Sequence, residues 1–132
     1  MSINLGRDEM FWRLGHEKTE KLLKDLNNIE NVNFQDEKGL SYLHVACAAH
    51  YTDAVKILLE RGANPNVTDS RGRMPVFAAI GSINDQAVSI LELLLQHGLD
   101  LNFVRRNGAT VREMIQSFDD NDYNCLIEKY DK

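Results

Sequence analysis

Only two cysteines, Cys47 and Cys125, occur in the 132 residues, and they lie far apart. Two thiols cannot build a disulfide framework, so a reducing compartment is the simpler setting. Proline is as scarce, at two, and glycine stands at eight, which excludes a collagen-like chain. Long apolar runs are missing as well. The stretch from Met1 to Met10 alternates polar and charged residues and has no apolar run of signal-peptide length. The longest apolar stretch, near Ile90 to Leu95, is broken by Glu92 and is far too short to cross a bilayer. A cytoplasmic location without a membrane span is expected. Basic charge is also short: 15 Lys and Arg stand against 20 Asp and Glu, for a net charge of -5. Phosphate backbones repel such a chain, so nucleic acid is set aside as a general partner.

What is present points to one soluble domain. Apolar residues at 43% and charged residues at 27% are ordinary for a globular protein. At this length about two-thirds of the unfolded surface can be buried. The dominant signal is a repeat. When Gly39 is laid on Gly72, Asp36 to Ala46 falls on Asp69 to Ala79. Leu58-Leu59-Glu60-Arg61-Gly62 matches Leu94-Leu95-Gln96-His97-Gly98, Asn66 matches Asn102, and Asn33 lies one period before Asn66. A third start appears at Arg105-Arg106-Asn107-Gly108, delayed by three extra residues between Ala79 and Gly98. A period of about 33 residues means stacked repeats.

These residues resemble the ankyrin repeat family. Leu43-His44-x-Ala46 carries half of the opening signature Thr-Pro-Leu-His-x-Ala, and Pro75 and Thr110 carry fragments of it later. Gly62-Ala63-Asn64-Pro65-Asn66 matches the closing part, and Ser41-Tyr42 stands where Thr-Pro is usual. The resemblance implies an all-α solenoid of stacked helix-turn-helix units with short hairpin-like turns. The whole chain, 1-132, is read as one such domain: a cap repeat at 3-35, repeats at 36-68 and 69-104, and a short cap at 105-132. The physical pattern agrees. Gly39, Gly72 and Gly108 follow polar triplets where a turn needs positive φ, and Gly62 and Gly98 follow leucine-rich helices. Val55, Leu58 and Leu59, then Val88, Leu91, Leu94 and Leu95, recur at helical spacing. Val111, Met114, Ile115 and Phe118 are expected on the next helix, and Leu126, Ile127 and Tyr130 on the last. No single unit buries its apolar face alone, so stacking supplies the core.

Catalytic and metal chemistry find little support. His44, Cys47 and His50 share a three-residue spacing, but on a helix the outer two drift by about 120°, so the three converge poorly. The resemblance makes His44 a structural histidine, and His97 beside Gly98 suits a helix C-terminus. Cys47 and Cys125 are both expected to pack as small apolar groups. Asp119, Asp120 and Asp122 lack the glycine and closing glutamate of a calcium loop and read as a solvated helix start. No phosphate loop, dinucleotide glycine pattern or nucleophile elbow occurs. No cofactor is expected, and the chain is not read as an enzyme.

What remains is a surface. The resemblance implies that a partner meets the turn tips and the exposed side of the inner helices. By position the tips are Glu37, Lys38 and Leu40, then Ser70, Arg71 and Arg73, then Arg105, Arg106 and Asn107. The inner-helix positions are Ala48 and Ala49, then Gly81 and Ser82. Four arginines therefore gather on an otherwise acidic protein, where they suit carboxylates on a partner. The three extra residues are expected to lengthen the helix-helix link over Gly81 to Asp85, with Ile83 tucked onto the stack. The function expected is stoichiometric binding of another protein, such as one with an acidic patch, by a chain monomeric when free. A standalone chain of this length suggests an inhibitor or adaptor, and a bacterial toxin-neutralising (immunity) protein is one specific case. Another class would be a metal-binding or enzymatic protein using His44, Cys47 and His50. A third would bind an anionic phospholigand at the arginine tips.

Overall fold

Several helices begin in this chain where a short polar side chain takes up amides that have no partner within the helix. The computed structural model describes residues 5–130, with side chains from residue 9 onward, and contains eight helices in this stretch. They are α1 (Leu5–His16), α2 (Glu20–Leu26), α3 (Tyr42–Ala48), α4 (Thr52–Glu60), α5 (Pro75–Ile80), α6 (Asp85–Gln96), α7 (Val111–Gln116) and α8 (Asn121–Tyr130). Residues 3 and 4 of the expected first unit, and 131 and 132 of the last, lie outside the described residues. Thr19, Ser41, Asn84 and Thr110 each cap the helix that follows. Ser41 takes the place of the usual threonine: its Oγ accepts from His44 N at 3.2 Å, while His44 Nδ1 accepts from Ser41 N at 3.1 Å. Thr110 and Glu113 form the same reciprocal pair before α7. Before α5 no side chain caps, and Pro75 instead presets the first helical turn.

The helices form two layers. In one, α3 packs between α1 and α5; in the other, α4 follows α2, α6 follows α4 and α8 follows α6. Among the described residues no strand is formed; Gln35 bridges to Ser41 and Val104 to Thr110 only as isolated pairs. This is the expected all-α arrangement of stacked helix pairs. Leu14, Leu22, Leu58, Leu91 and Leu94 are fully buried between the layers. Each contributes about 1.5–3 kcal/mol by leaving water. The five glycines expected at turns and helix ends all have positive φ.

Asparagines one period apart tie the units together. Asn33 Nδ2 donates to Gly62 O at 3.2 Å and its Oδ1 accepts from Asn64 N at 2.8 Å. Asn66 repeats both bonds one unit on, to Gly98 O and Asp100 N. The turn tips repeat as well. Asp36 N donates to Leu40 O, Asp69 N to Arg73 O and Arg105 N to Ala109 O, all within 2.8–2.9 Å.

Four expectations need correction. The three extra residues do not mainly lengthen the link. Thr52 and Asp85 open the second helices one unbroken period apart, and α6 has 12 residues against nine in α4. The extra length is nearly one more turn of α6, which lets the segment keep its backbone bonds internal. Ile83 does not tuck onto the stack and is 52% exposed. Cys125 is exposed, because the buried set on α8 is Tyr123, Leu126 and Ile127, whose helical spacing leaves Cys125 on the other face. Phe118 lies past the end of α7, half-buried and edge-on to Tyr123.

Candidate functional site

The exposed side of the inner helices is small or apolar at successive positions. Val45 and Ala48 on α3, with Phe77 and Ala78 on α5, line a cleft of about 320 Å³. Buried Met74 and His44 also line it, and Leu40, Asp69 and Arg73 close it toward the turn tips. Small side chains keep the cleft open: Ala48 and Ala78 are exposed, while neighbouring Cys47 and Ala79 carry the core.

Asp69 organises the second tip. Its Oδ1 accepts from Arg71 N and Arg73 N, both at 2.9 Å, and its Oδ2 accepts from Arg73 Nε at 3.0 Å. Burial pushes this carboxyl up, but the amides of Arg73 and Arg71 and the guanidinium outweigh it and hold the group below its usual range. Arg73 is thus engaged by a carboxylate of its own chain while half of its side chain stays exposed. Arg106 is also committed. Its Nη2 donates to Ser70 O at 3.0 Å, and a Cβ on Gly72 would fall 2.7 Å from its Nε. Arg105 lies over the Phe77 ring at 4.6 Å. Arg71 alone of the four is exposed with no side-chain ion pair or hydrogen bond among the described residues. The four arginines are therefore not four free charges.

The expected contact residues divide accordingly. Leu40, Ala48 and Arg73 line the main cleft, and Lys38, Ser70 and Arg71 line a second cavity of about 380 Å³ beside it. Glu37 and Asn107 are exposed on the first and third tips, outside both cavities. Ala49 ends α3 and packs half-buried against the core, and Ser82 and Ile83 stand exposed in the α5–α6 link. Val45, Phe77 and Ala78 were not among the expected contacts. Their signal was readable: Val45 and Ala78 occupy equivalent places in successive repeats, each one helical step before Ala48 and Gly81.

His44 forms part of the cleft floor, buried, with both ring nitrogens engaged. Nδ1 accepts from Ser41 N, so Nε2 carries the proton and donates to Arg73 O at 2.9 Å. Burial holds the ring's pKa below the usual value, against the opposing effect of the Arg73 carbonyl. His50 Nε2 bonds Ala79 O at 2.8 Å, and burial pushes the Cys47 thiol far up, so all three residues have structural surroundings. A pH effect follows. Above about pH 7 His44 is neutral in both states and its contribution is complete. As pH falls through about 6.5 the unfolded chain takes the proton first, and stability is lost until the folded histidine also protonates. The urea midpoint is expected to fall between pH 7.5 and 5.5, and His44→Asn should flatten that slope while lowering both midpoints. A wild-type midpoint that does not move would refute the assignment.

A family model for ankyrin repeats in three copies matches residues 12–105. The chain belongs to the ankyrin repeat family. Human BCL-6 corepressor-like protein 1 is 39% identical over 88 residues, which are 67% of this chain and 5% of that protein. Human transient receptor potential cation channel subfamily A member 1 is 33% identical over 95 residues, covering 71% of the chain and 8% of the channel. An ankyrin repeat-containing protein of Schizosaccharomyces pombe is 28% identical over 100 residues, 76% of this chain and 46% of its own length. The chain thus spans less than half of each of these relatives. An ankyrin repeat domain from Acinetobacter baumannii superposes with a TM-score of 0.79 at 18% identity, over 92% of this chain and 63% of that one, which shows a shared fold. Ankyrin repeats are in general non-catalytic modules for protein–protein interaction. No helix among the described residues is long and apolar enough to cross a membrane.

Proposed function

We propose that this chain is a non-catalytic module that binds another protein stoichiometrically, as an inhibitor or adaptor. The observation that carries this reading is the α3–α5 cleft, apolar along Val45, Ala48, Phe77 and Ala78 and bordered by the basic second tip. An apolar floor beside polar, charged edges is the make-up of an interface centre and its rim. The two free thiols, one of them exposed at Cys125, suit a reducing cytoplasm.

Among the tip arginines, Arg71 is the one whose reversal tests this reading without disturbing the fold. Reversing Arg73 would set a second carboxylate against buried Asp69, and reversing Arg106 would break the bond to Ser70 O. Both would disturb folding as well as binding. Arg71→Glu changes the rim charge and removes no side-chain bond. It is expected to weaken capture of a partner several-fold, with an unchanged circular dichroism spectrum. The check is affinity capture with wild type and variant side by side, each retained protein being quantified. Equal retention of every captured protein by Arg71→Glu would remove the second tip from the interface.

A further inference from the structure

The cleft and the cavity beside it are not independent. Leu40, Asp69 and Arg73 line both, so an apolar chamber and a basic chamber share one wall. The apolar chamber holds about 320 Å³, at the small end of the roughly 300–1,000 Å³ typical of ligand clefts. It suits one or two side chains better than a cofactor. In the basic chamber the charges are unbalanced. Asp69 is its carboxylate, and three donors from Arg71 and Arg73 already occupy it. The side chains of Lys38 and Arg71 are exposed and make no ion pair among the described residues. Two cations are therefore left over, directly beside an apolar chamber.

We propose that the partner presents an extended segment in which a bulky apolar residue lies close to one or more carboxylates. The apolar side chain enters between Val45, Ala48, Phe77 and Ala78, and the Asp or Glu beside it meets Lys38 and Arg71. Ser70 at the same chamber adds a hydroxyl. The shared wall sets the selectivity: a segment with either element alone fills one chamber and leaves the other solvated. This inference rests on the reading of the cleft as the partner-binding face and adds the chemistry of what it takes. Because one half of the contact is ionic and exposed, affinity should fall as salt rises.

The test is selection of random octapeptides displayed on phage against the immobilised full chain, with the winning peptides then synthesised with a fluorescent label. The expected winners carry Leu, Ile, Phe or Met within four residues of Asp or Glu. Their affinity should fall at least tenfold in Lys38→Glu/Arg71→Glu, and at least tenfold in Ala78→Trp, which fills the apolar chamber from an exposed position. Both variants must keep the wild-type circular dichroism spectrum. Winners lost on Ala78→Trp but indifferent to the charge reversal would overturn this inference and leave the cleft as the binding face. Winners indifferent to both variants would overturn the two readings together. Failure to enrich any sequence over a blank surface would also overturn the inference, since the chambers would then not take a linear segment.

Discussion

Gly39→Ala should cost far more stability than Gly62→Ala, although both glycines sit at positive φ, +79° and +98°. A side chain in the left-handed region costs roughly 1–2 kcal/mol, and both variants incur it. The difference lies in what a methyl group would meet. At Gly62 nothing lies within 4 Å of the added carbon. At Gly39 it would stand 2.8 Å from Ser70 N, 2.9 Å from Asp69 Cα and 3.0 Å from Asp69 C, all backbone atoms of the next tip. Those atoms cannot swing aside as a side chain can, so the two tips must part. Parting them stretches the bond from Ser70 N to Lys38 O, now 2.9 Å, and a lost hydrogen bond adds about 1 kcal/mol. The expected total for Gly39→Ala is about 2–3 kcal/mol, a large share of the roughly 5–15 kcal/mol by which domains are stable. Urea denaturation followed by circular dichroism measures both. Equal losses in the two variants would show that the stacked tips separate freely.

The same contrast explains which features could be read ahead of the structure. Turn glycines, leucine pairs and spaced asparagines mark local demands that recur between neighbouring units, so one unit predicts the next. The Asn33 and Asn66 bonds show this most directly, because equivalent positions find equivalent partners even though Asn66 reaches three residues further along the chain. Expectations failed where a residue's role is set by something outside its own unit. Arg106 looked like a free tip charge, but it crosses to Ser70 of the preceding tip. Arg73 looked exposed and is half so, yet its guanidinium belongs to Asp69. At Arg105 the repeat has lost the aspartate found at positions 36 and 69, and the side chain lies on Phe77 instead. The α6 extension failed for another reason. Three inserted residues read the same whether they enlarge a loop or add a helical turn, and only the matching helix starts at Thr52 and Asp85 decide it. The cleft was half legible: Ala48 and Leu40 were expected, whereas Val45, Phe77 and Ala78 line it because of the α3–α5 stacking.

Tyr123 is the largest case of a residue whose weight comes from its neighbours, and its removal should release the C-terminal helix pair. The side chain is fully buried, edge-on to Phe118 with ring centroids 5.8 Å apart, and its hydroxyl donates to Ile80 O at 3.1 Å. Ile80 is the last residue of α5, where a helix leaves carbonyls without an internal partner. One side chain thus closes the end of α5 and anchors α8. Tyr123→Ala is expected to cost about 3–5 kcal/mol, as removal of a buried aromatic does. Tyr123→Phe keeps the ring and leaves the Ile80 carbonyl unsatisfied, for about 1–3 kcal/mol. The loss should be local first, because what remains to hold α8 is its two buried aliphatic residues, Leu126 and Ile127, and an end contact in which Lys129 and Tyr130 donate to Glu92 at 2.8 and 2.9 Å. An exposed pair such as Lys129–Glu92 contributes at most about 1 kcal/mol and does not offset the loss of the ring. Amide hydrogen exchange should therefore speed up across residues 111–130 in Tyr123→Ala at urea concentrations where α3 and α4 remain protected. If protection instead falls uniformly along the chain, the C-terminal pair unfolds only together with the rest, and Tyr123 anchors the whole stack rather than its end.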